Sequence, residues 1–332
     1  GAGVFPTQLT EKEFESSRYD ELDDMIGTIG TSMLGMTIGC ARCHDHKFDP
    51  ISIDDYYALA GIFKSSRVML SYRVDSKWNS RALGGPELER RLEDLEGELN
   101  RLDEALVLGD FVGRADEKKR LSEKLDRVRT DYAEVPKAMA SEESQVEDLQ
   151  VFLRGNHLIR GRQAPRRFPR LLSESSDGSL PATESGRRQL ADWLTRNNHP
   201  LTARVMANRI WQGHFVHGLV RSPDNFGRLG RRPTNQPLLD WLAVRFIESG
   251  WSIKRMHLRL MTTAAYRMSS RPGPENLRRD PENHYTGRMN RRRMEAEVLR
   301  DSLLAVAGLL DGRMGGAVLK DKTFRILSAA AL

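Results

Sequence analysis

Cysteine is almost missing from this chain, with only Cys40 and Cys43 in 332 residues. That excludes the disulfide framework by which small secreted domains hold themselves together. Long apolar runs are missing too. None reaches the roughly 18 residues that a membrane-spanning helix needs, so no span is expected. Residues 1–14 lack the basic segment followed by an apolar one that marks a signal peptide, and they do not open on Met. The chain therefore reads as a piece of a longer protein. Catalytic signatures are equally scarce: neither a Gly-x-Ser-x-Gly elbow nor His-Glu-x-x-His is present, so hydrolase chemistry has no local motif. The segment SPDNFGRLG (222–230), with Asp224, Asn225 and Arg228, lacks the spacing and strand context of a phosphate loop and reads as a connection between helices.

Charge is what the chain has in quantity. Charged residues make up 30% and apolar ones 39%, a balance that suits long solvated helices better than a barrel or sandwich. Lys and Arg number 52 against 46 Asp and Glu, for a net charge of +6. The acids are interspersed among the bases almost everywhere, which predicts ordinary ion pairing. Two strips stand out, RQAPRRFPR (162–170) and NRRRMEAE near residue 290. They are candidates for docking an anionic partner such as a polysaccharide. No nucleic-acid-binding motif accompanies them, so nucleic acid is not expected.

Periodicity points to a mainly α fold. Tyr19, Leu22, Met25, Ile26, Ile29, Met33 and Met36 recur at helical steps through 13–39. A second helix follows Ser52, a plausible N-cap whose capping-box partner is Asp55, and buries Tyr56, Leu59, Ala60 and Phe63. Leu88, Leu92, Leu95, Leu99, Leu102 and Leu106 alternate steps of four and three, and Leu121, Leu125, Val128 and Tyr132 resume the pattern. This heptad seam predicts an inserted antiparallel coiled-coil hairpin. LQVFL, followed by turn-forming residues, predicts one short β segment. From 185 onward, five helical stretches predict a bundle, with Trp211, Trp241 and Trp251 in its core. The expected organisation is a helical domain over 1–80, the hairpin over 81–140, an extended linker and strand segment over 141–184 and the bundle over 185–332.

The two cysteines fall in TIGCARCHDHKFDP (37–50). Cys-x-x-Cys-His is the attachment signature of c-type haem. Two thiols on one turn can form thioethers with the two vinyl groups of one porphyrin, and the following histidine is placed to ligate iron. Here these are Cys40, Cys43 and His44, and Arg42 is placed to pair with a propionate. A zinc site is the alternative cofactor, although His44 and His46 lie too close for a regular structural finger. A redox disulfide is a third reading, set against the fact that the pair follows a helix rather than a strand. Sixth-ligand candidates are Met33, Met36, Met69, His214 and His217, with Met33 and Met36 also reading as core residues of the preceding helix. Asp45, His46 and Asp49 could hold a separate metal; Asp45 and Asp49 also read as caps of the turn that orient an imidazole.

The run RYDELDDMIGTIGTSMLGMTIGCARCHDHKFDPISIDDYYALAGIF and the later run from DWLTRNNHPLTARV to TTAAYRMSS resemble two domains of planctomycete and verrucomicrobial cytochrome-c-associated proteins. They are the paired domains of unknown function 1549 and 1553, and RRRMEAEVLRDSLLAVAGLLDGRMGG continues the second. The resemblance implies an exported, periplasmic or cell-surface protein that works with an upstream cytochrome c domain or another periplasmic redox partner. Its expected role is electron transfer or a haem-linked oxidoreductase step, with haem c held by Cys40, Cys43 and His44. Family members often read WQHHFGRGLV where this chain reads WQGHFVHGLV. Gly213 thus replaces a histidine, while His214 survives as a candidate iron ligand. The alternative function is a helical scaffold whose CxxCH turn is structural or binds zinc and whose basic surface docks an anionic partner.

Overall fold

The computed structural model describes residues 14–71, 77–109, 115–174, 177 and 179–312. The chain begins with α1 (Phe14–Ile29), a π-helical turn (Gly30–Leu34), a 3-10 turn (Ile38–Arg42) and α2 (Ile53–Lys64). The single helix expected over 13–39 is thus broken in two places. Met36 N–H donates to the Gly30 carbonyl at 2.9 Å, and a β-carbon on Gly30 would lie 2.8 Å from the Met36 carbonyl oxygen. Gly35 then takes a left-handed conformation at φ 58°, which glycine adopts without a side-chain clash. Met36 is buried at 4% exposure, but Met33, expected in the core, is 38% exposed because the π turn rotates it outward.

α2 starts where the sequence places it. Ser52 Oγ accepts from Asp55 N–H at 3.2 Å and the Asp55 carboxylate accepts from Ser52 N–H at 3.0 Å, closing the capping box. Two short strands, β1 (Ser66–Arg67) and β2 (Met69–Ser71), lead to β3 (Lys77–Trp78) and β4 (Ser80–Ala82). Next come α3 (Pro86–Leu108) and α4 (Ala115–Glu134), and the chain returns through β5 (Lys137–Met139) and β6 (Glu142–Glu143). β4 pairs antiparallel with β5 and β1 with β6, so two ribbons form the base from which the helix pair leaves. Leu102, Leu125 and Val128 are buried between α3 and α4, with Leu95, Leu99, Leu106 and Leu121 packed around them. Tyr132 near the end of α4 donates to Glu96 in the first half of α3 at 3.0 Å, so the two helices run in opposite directions.

The segment 141–184 holds a β-hairpin where one strand is expected. β7 (Leu149–Phe152) and β8 (Arg160–Ala164) form an antiparallel hairpin with Leu149 opposite Ala164. β7 sends Leu149, Val151 and Phe152 into the main core and leaves Gln150 exposed. There Phe152 meets Tyr19 edge-on at 4.6 Å and Tyr57 at 5.0 Å, an arrangement that favours ring edges against ring faces.

The remaining helices are α5 (Arg187–Thr195), α6 (Thr202–Phe215), α7 (Gln236–Glu248), α8 (Ile253–Met261), α9 (Pro274–Arg279) and α10 (Ala296–Val306). α8 stops at Met261. Thr262 and Thr263 turn their hydroxyls onto the carbonyls of Leu258 and Leu260 at 2.9 and 2.7 Å, a competition that ends helices. Trp211 is buried as expected, but Trp241 is 45% exposed beneath Arg245. α10 buries none of its residues, unlike the bundle helix expected there.

The chain divides into two compact units. The larger is drawn from Gly1–Gln212 and His217–His257, the smaller from Gly213–Val216 and Leu258–Leu332. In the larger, α1, α2, β7, β8 and α5 share one core that includes Leu22, Ile26, Leu59, Ile62 and Trp193. In the smaller, the Asp280 carboxylate accepts from His284 and Tyr285 N–H at 2.8 and 2.9 Å. Arg288 ties the same turn to Asn276 and to the Asp280 carbonyl.

Candidate functional site

The CxxCH segment owes its geometry to a 3-10 turn. Three residues per turn eclipse side chains at i and i+3. Ile38 and Ala41, three apart, are buried at 1% and 0% exposure. Cys40 and Cys43, also three apart, are both exposed free thiols. One face of the turn is thus anchored in the core and the other presents two sulfurs. Cys43 ends the turn against the β7–β8 hairpin, where Gly155 sits at φ 73° and a β-carbon would lie 2.6 Å from Cys43 Sγ. Leu153, Leu158 and Ile159 on that hairpin tip are exposed apolar side chains.

The two histidines of the segment have opposite roles. His44 is exposed, and its Nδ1 lies 2.7 Å from the Asp45 carbonyl oxygen. A carbonyl only accepts, so Nδ1 carries the proton and Nε2 keeps its lone pair. His46 is held the other way round. Its Nδ1 accepts from Phe48 and Asp49 N–H at 3.3 and 2.9 Å, and its Nε2–H donates to Thr37 Oγ1 at 3.0 Å. Both ring nitrogens of His46 are occupied in closing the turn. Asp45 caps the start of α2 by accepting from Ile53 N–H at 2.8 Å.

Arg42 lies in the larger unit with its guanidinium on Asp20 at 2.9 Å and Asp23 at 3.2 Å. Burial works against its charge, but the Asp20 hydrogen bond and the neighbouring negative groups outweigh it and hold the guanidinium above its ordinary pKa. A propionate at this position would compete with two carboxylates. Behind the turn, Arg42, Tyr56, Tyr57 and Phe152 enclose a void of about 10 Å³, room for no more than a water. Burial, followed by the hydrogen bond to Asp23, pushes the Tyr56 hydroxyl well above its usual pKa. Any large group on the thiols therefore lies outside the core, against the hairpin tip.

The donor set fits a haem held in that position. The thiols are reduced, exposed and on one face, His44 has an available Nε2, and Gly155 leaves the space that Cys43 Sγ occupies. For the sixth position, Met36 and Met69 are buried at 4% and 2% exposure, whereas Met33 is partly exposed. His214 lies in the smaller unit, edge-on to Tyr266 at 5.5 Å, and His217 belongs to the larger. Among the described residues no group of three or more His, Cys, Asp and Glu is arranged to hold a metal ion, so zinc has no preformed ligand set.

The segment 222–230 does more than connect helices. Phe226 N–H donates to the Gly35 carbonyl at 2.6 Å, and Arg228 N–H donates to buried Asp49 at 2.7 Å. Gly227 has no room for a side chain, because a β-carbon would fall 2.3 Å from Asp49 Oδ2. The loop is thus docked onto the CxxCH segment. Beyond it opens a cleft of about 500 Å³ between Pro200, Arg204, Phe226, Arg231, Gln236 and Leu239. Sequence reading missed this cleft. The one available signal was the triplet Arg228, Arg231 and Arg232, with no acid between them.

The basic strip 162–170, by contrast, is neutralised from within. Arg162 grips Asp54 with two hydrogen bonds at 2.9 and 2.6 Å, and Arg167 bonds Asp55 at 3.0 Å. Arg166 is buried, pairs with Asp148 at 3.0 Å and donates to the carbonyls of Pro181 and Ser185 at 3.1 Å.

Comparison with known proteins finds two family models. Residues 4–68 match PSCyt2, a protein of unknown function (DUF1549), and residues 186–326 match PSD1, a protein of unknown function (DUF1553). No curated protein and no solved structure matches the chain. The first match contains the CxxCH turn and the second contains the docking loop. Both supply the same core, Leu22 and Ile26 from one and Leu190 and Trp193 from the other.

Proposed function

We propose that this chain, which carries the paired domains DUF1549 and DUF1553, is an exported c-type haem protein of the periplasm or cell surface that passes electrons to or from a cytochrome partner. The carrying observation is the 3-10 turn that buries Ile38 and Ala41 and exposes Cys40 and Cys43 together. Cys40 and Cys43 would each add across one vinyl group, the sulfur bonding to one carbon and the thiol hydrogen passing to the other. No oxidant is consumed. His44 would offer Nε2 to the iron, with the Asp45 carbonyl fixing its tautomer as outer partners do for metal-bound imidazoles. Bound haem supplies one-electron redox chemistry, in electron transfer or a haem-linked oxidoreductase step. The exposed position of Cys40 and Cys43 beside the hairpin tip would leave a bound haem within reach of a partner. The PSCyt2 name of the matching model agrees with a cytochrome association.

The test is co-expression with a secretion signal and a cytochrome c maturation system, followed by in-gel haem staining and a pyridine haemochrome spectrum. One covalent haem per chain is expected. Cys40→Ala/Cys43→Ala should abolish it, and either single variant should shift the spectrum to that of a single thioether. A chain that stays colourless beside a co-expressed, matured cytochrome overturns the proposal.

A second reading rests on the docked loop. Asp49 receives Arg228 N–H, and His46 closes the turn beneath it, so the segment also joins the two family-matched regions of a helical scaffold. In that reading Cys40→Ala/Cys43→Ala changes neither cofactor content nor partner binding, while Asp49→Ala destabilises the chain.

A further inference from the structure

The cleft beside the docking loop is built unlike the rest of the surface. Its floor is apolar, with Val220 and Leu239 buried at 1% exposure and Phe226 packed against Gly35. Its rim carries Arg228, Arg231 and Arg232, all exposed. None of these three guanidinium groups has an ion-pair or hydrogen-bond partner among the described residues. The nearby acids are already engaged, Asp49 by Arg228 N–H at 2.7 Å and Asp240 by Arg204 Nε at 2.6 Å. Elsewhere in this chain exposed arginines regularly meet a carboxylate, as Arg162, Arg188 and Arg278 do.

The rim is also held rigid. Arg231 N–H donates to Ser222 Oγ at 2.8 Å, Gly230 N–H to the Gly227 carbonyl at 2.9 Å and Thr234 N–H to the Leu219 carbonyl at 2.8 Å. A β-carbon on Gly230 would fall 2.1 Å from the Asn225 carbonyl oxygen, so the backbone is closed on itself there. These bonds set the backbone from which the arginines project, which limits the loop ordering that binding would otherwise require. α7 begins at the same cleft, capped by Asn235, and its N-terminal dipole adds to the positive potential.

We infer that this cleft binds a small organic oligoanion, a molecule with at least two sulfate, phosphate or carboxylate groups on a carbon frame. The three guanidinium groups take the charges and the apolar floor takes the frame. A volume of about 500 Å³ is that of a small-molecule site. Single-stranded nucleic acid needs exposed aromatic platforms for its bases, and the only aromatic side chain in the lining is half-buried Phe226. This site is independent of haem attachment, since none of its lining residues belongs to the CxxCH turn.

Titration calorimetry of the whole chain tests it with four probes: a trisulfated heparin-derived disaccharide, its desulfated counterpart, inositol hexakisphosphate and inorganic sulfate. The sulfated or the phosphorylated organic probe should bind, and which one binds identifies the anionic group. Arg231→Gln/Arg232→Gln should weaken that binding at least about tenfold, since each substitution removes a charge-assisted hydrogen bond to the anion. Lys254→Gln/Arg255→Gln, which removes the same charge from exposed positions outside the cleft, should change it less than about twofold. The inference is overturned by equal loss in both double variants, by equal binding of the desulfated disaccharide, or by inorganic sulfate binding as tightly as the organic anions. Failure of all four probes also overturns it. Because haem content is read separately by spectrum, a negative result here leaves the haem proposal standing or falling on its own.

Discussion

Arg162, Arg166 and Arg167 direct their guanidinium groups at Asp54, Asp148 and Asp55 of the same compact unit. Arg228, Arg231 and Arg232, in that unit too, stand around an open cleft where no acid among the described residues meets them. The two clusters are nearly alike in composition and differ in what the fold brings opposite them. α2 begins with Asp54 and Asp55, and the chain lays the first cluster across them. The hydrogen bond from Arg162 holds the Asp54 carboxyl below its usual pKa, while burial lowers that of Arg167. The second cluster follows a loop whose neighbouring acids are already taken, Asp49 by the Arg228 N–H, Asp224 by Arg209 and Asp240 by Arg204. A basic strip is therefore evidence for a partner only after the internal carboxylates have been assigned.

The histidines repeat the contrast. His46 and His199 are used internally, while His44 presents Nε2 on an exposed ring. His199 is buried at 4% exposure and its Nδ1 accepts from Thr202 N–H at 3.1 Å, capping α6. Burial, reinforced by Arg196, pushes its pKa down to about 4.

The largest expected effect lies in the neutralised cluster. Arg166→Ala strips a buried cation from Asp148 and from the carbonyls of Pro181, Glu184 and Ser185, and should cost about 3 kcal/mol in urea unfolding. A loss below about 1 kcal/mol would erase the distinction between the clusters. His199 comes next. Its folded pKa lies below the unfolded value near 6.5, so its neutral form contributes fully above pH 6.5 and the contribution is lost as pH falls toward 4. Unfolding at pH 7 and pH 4.5 should differ by about 2 kcal/mol on this account, allowing for partial screening, and His199→Asn should remove that part of the slope. Gly155→Ala should cost about 1–2 kcal/mol through its left-handed backbone and its contact with Cys43 Sγ. Adding Cys43→Ala should recover part of that loss, and simple additivity would mean that the hairpin and the turn are not coupled. The smallest effect belongs to Arg231→Gln/Arg232→Gln, whose unfolding free energy should stay within about 0.5 kcal/mol of the parent. A larger fall would show that these arginines are structural after all.

Much of the local structure was legible beforehand. The Ser52–Asp55 box started α2 where it was placed, and Leu95, Leu99, Leu102 and Leu106 lie between two packed helices. The thiols and His44 were nameable from spacing alone. Their arrangement was not, because spacing of three is compatible with either an α-helix or a 3-10 turn, and only the break at Gly30 and Gly35 selects the latter. Met33 and Trp241 were misread for a related reason: helical periodicity marks a face, but a π turn or a missing neighbour decides whether that face is covered. The free arginines escaped notice because pairing depends on carboxylates distant in sequence, as Arg162 and Asp54, 108 residues apart, illustrate.

The sequence by itself therefore determined the helical character, the caps, the pair of family-matched regions and the CxxCH donors, since all are written in near-neighbour spacing. Only the tertiary structure decided that both regions share one core, that Cys40 and Cys43 share an outward face, and which arginines stay unpaired. Those outcomes depend on which distant backbone and carboxylate groups arrive opposite each side chain, and burial and electrostatics act on that proximity rather than on order along the chain.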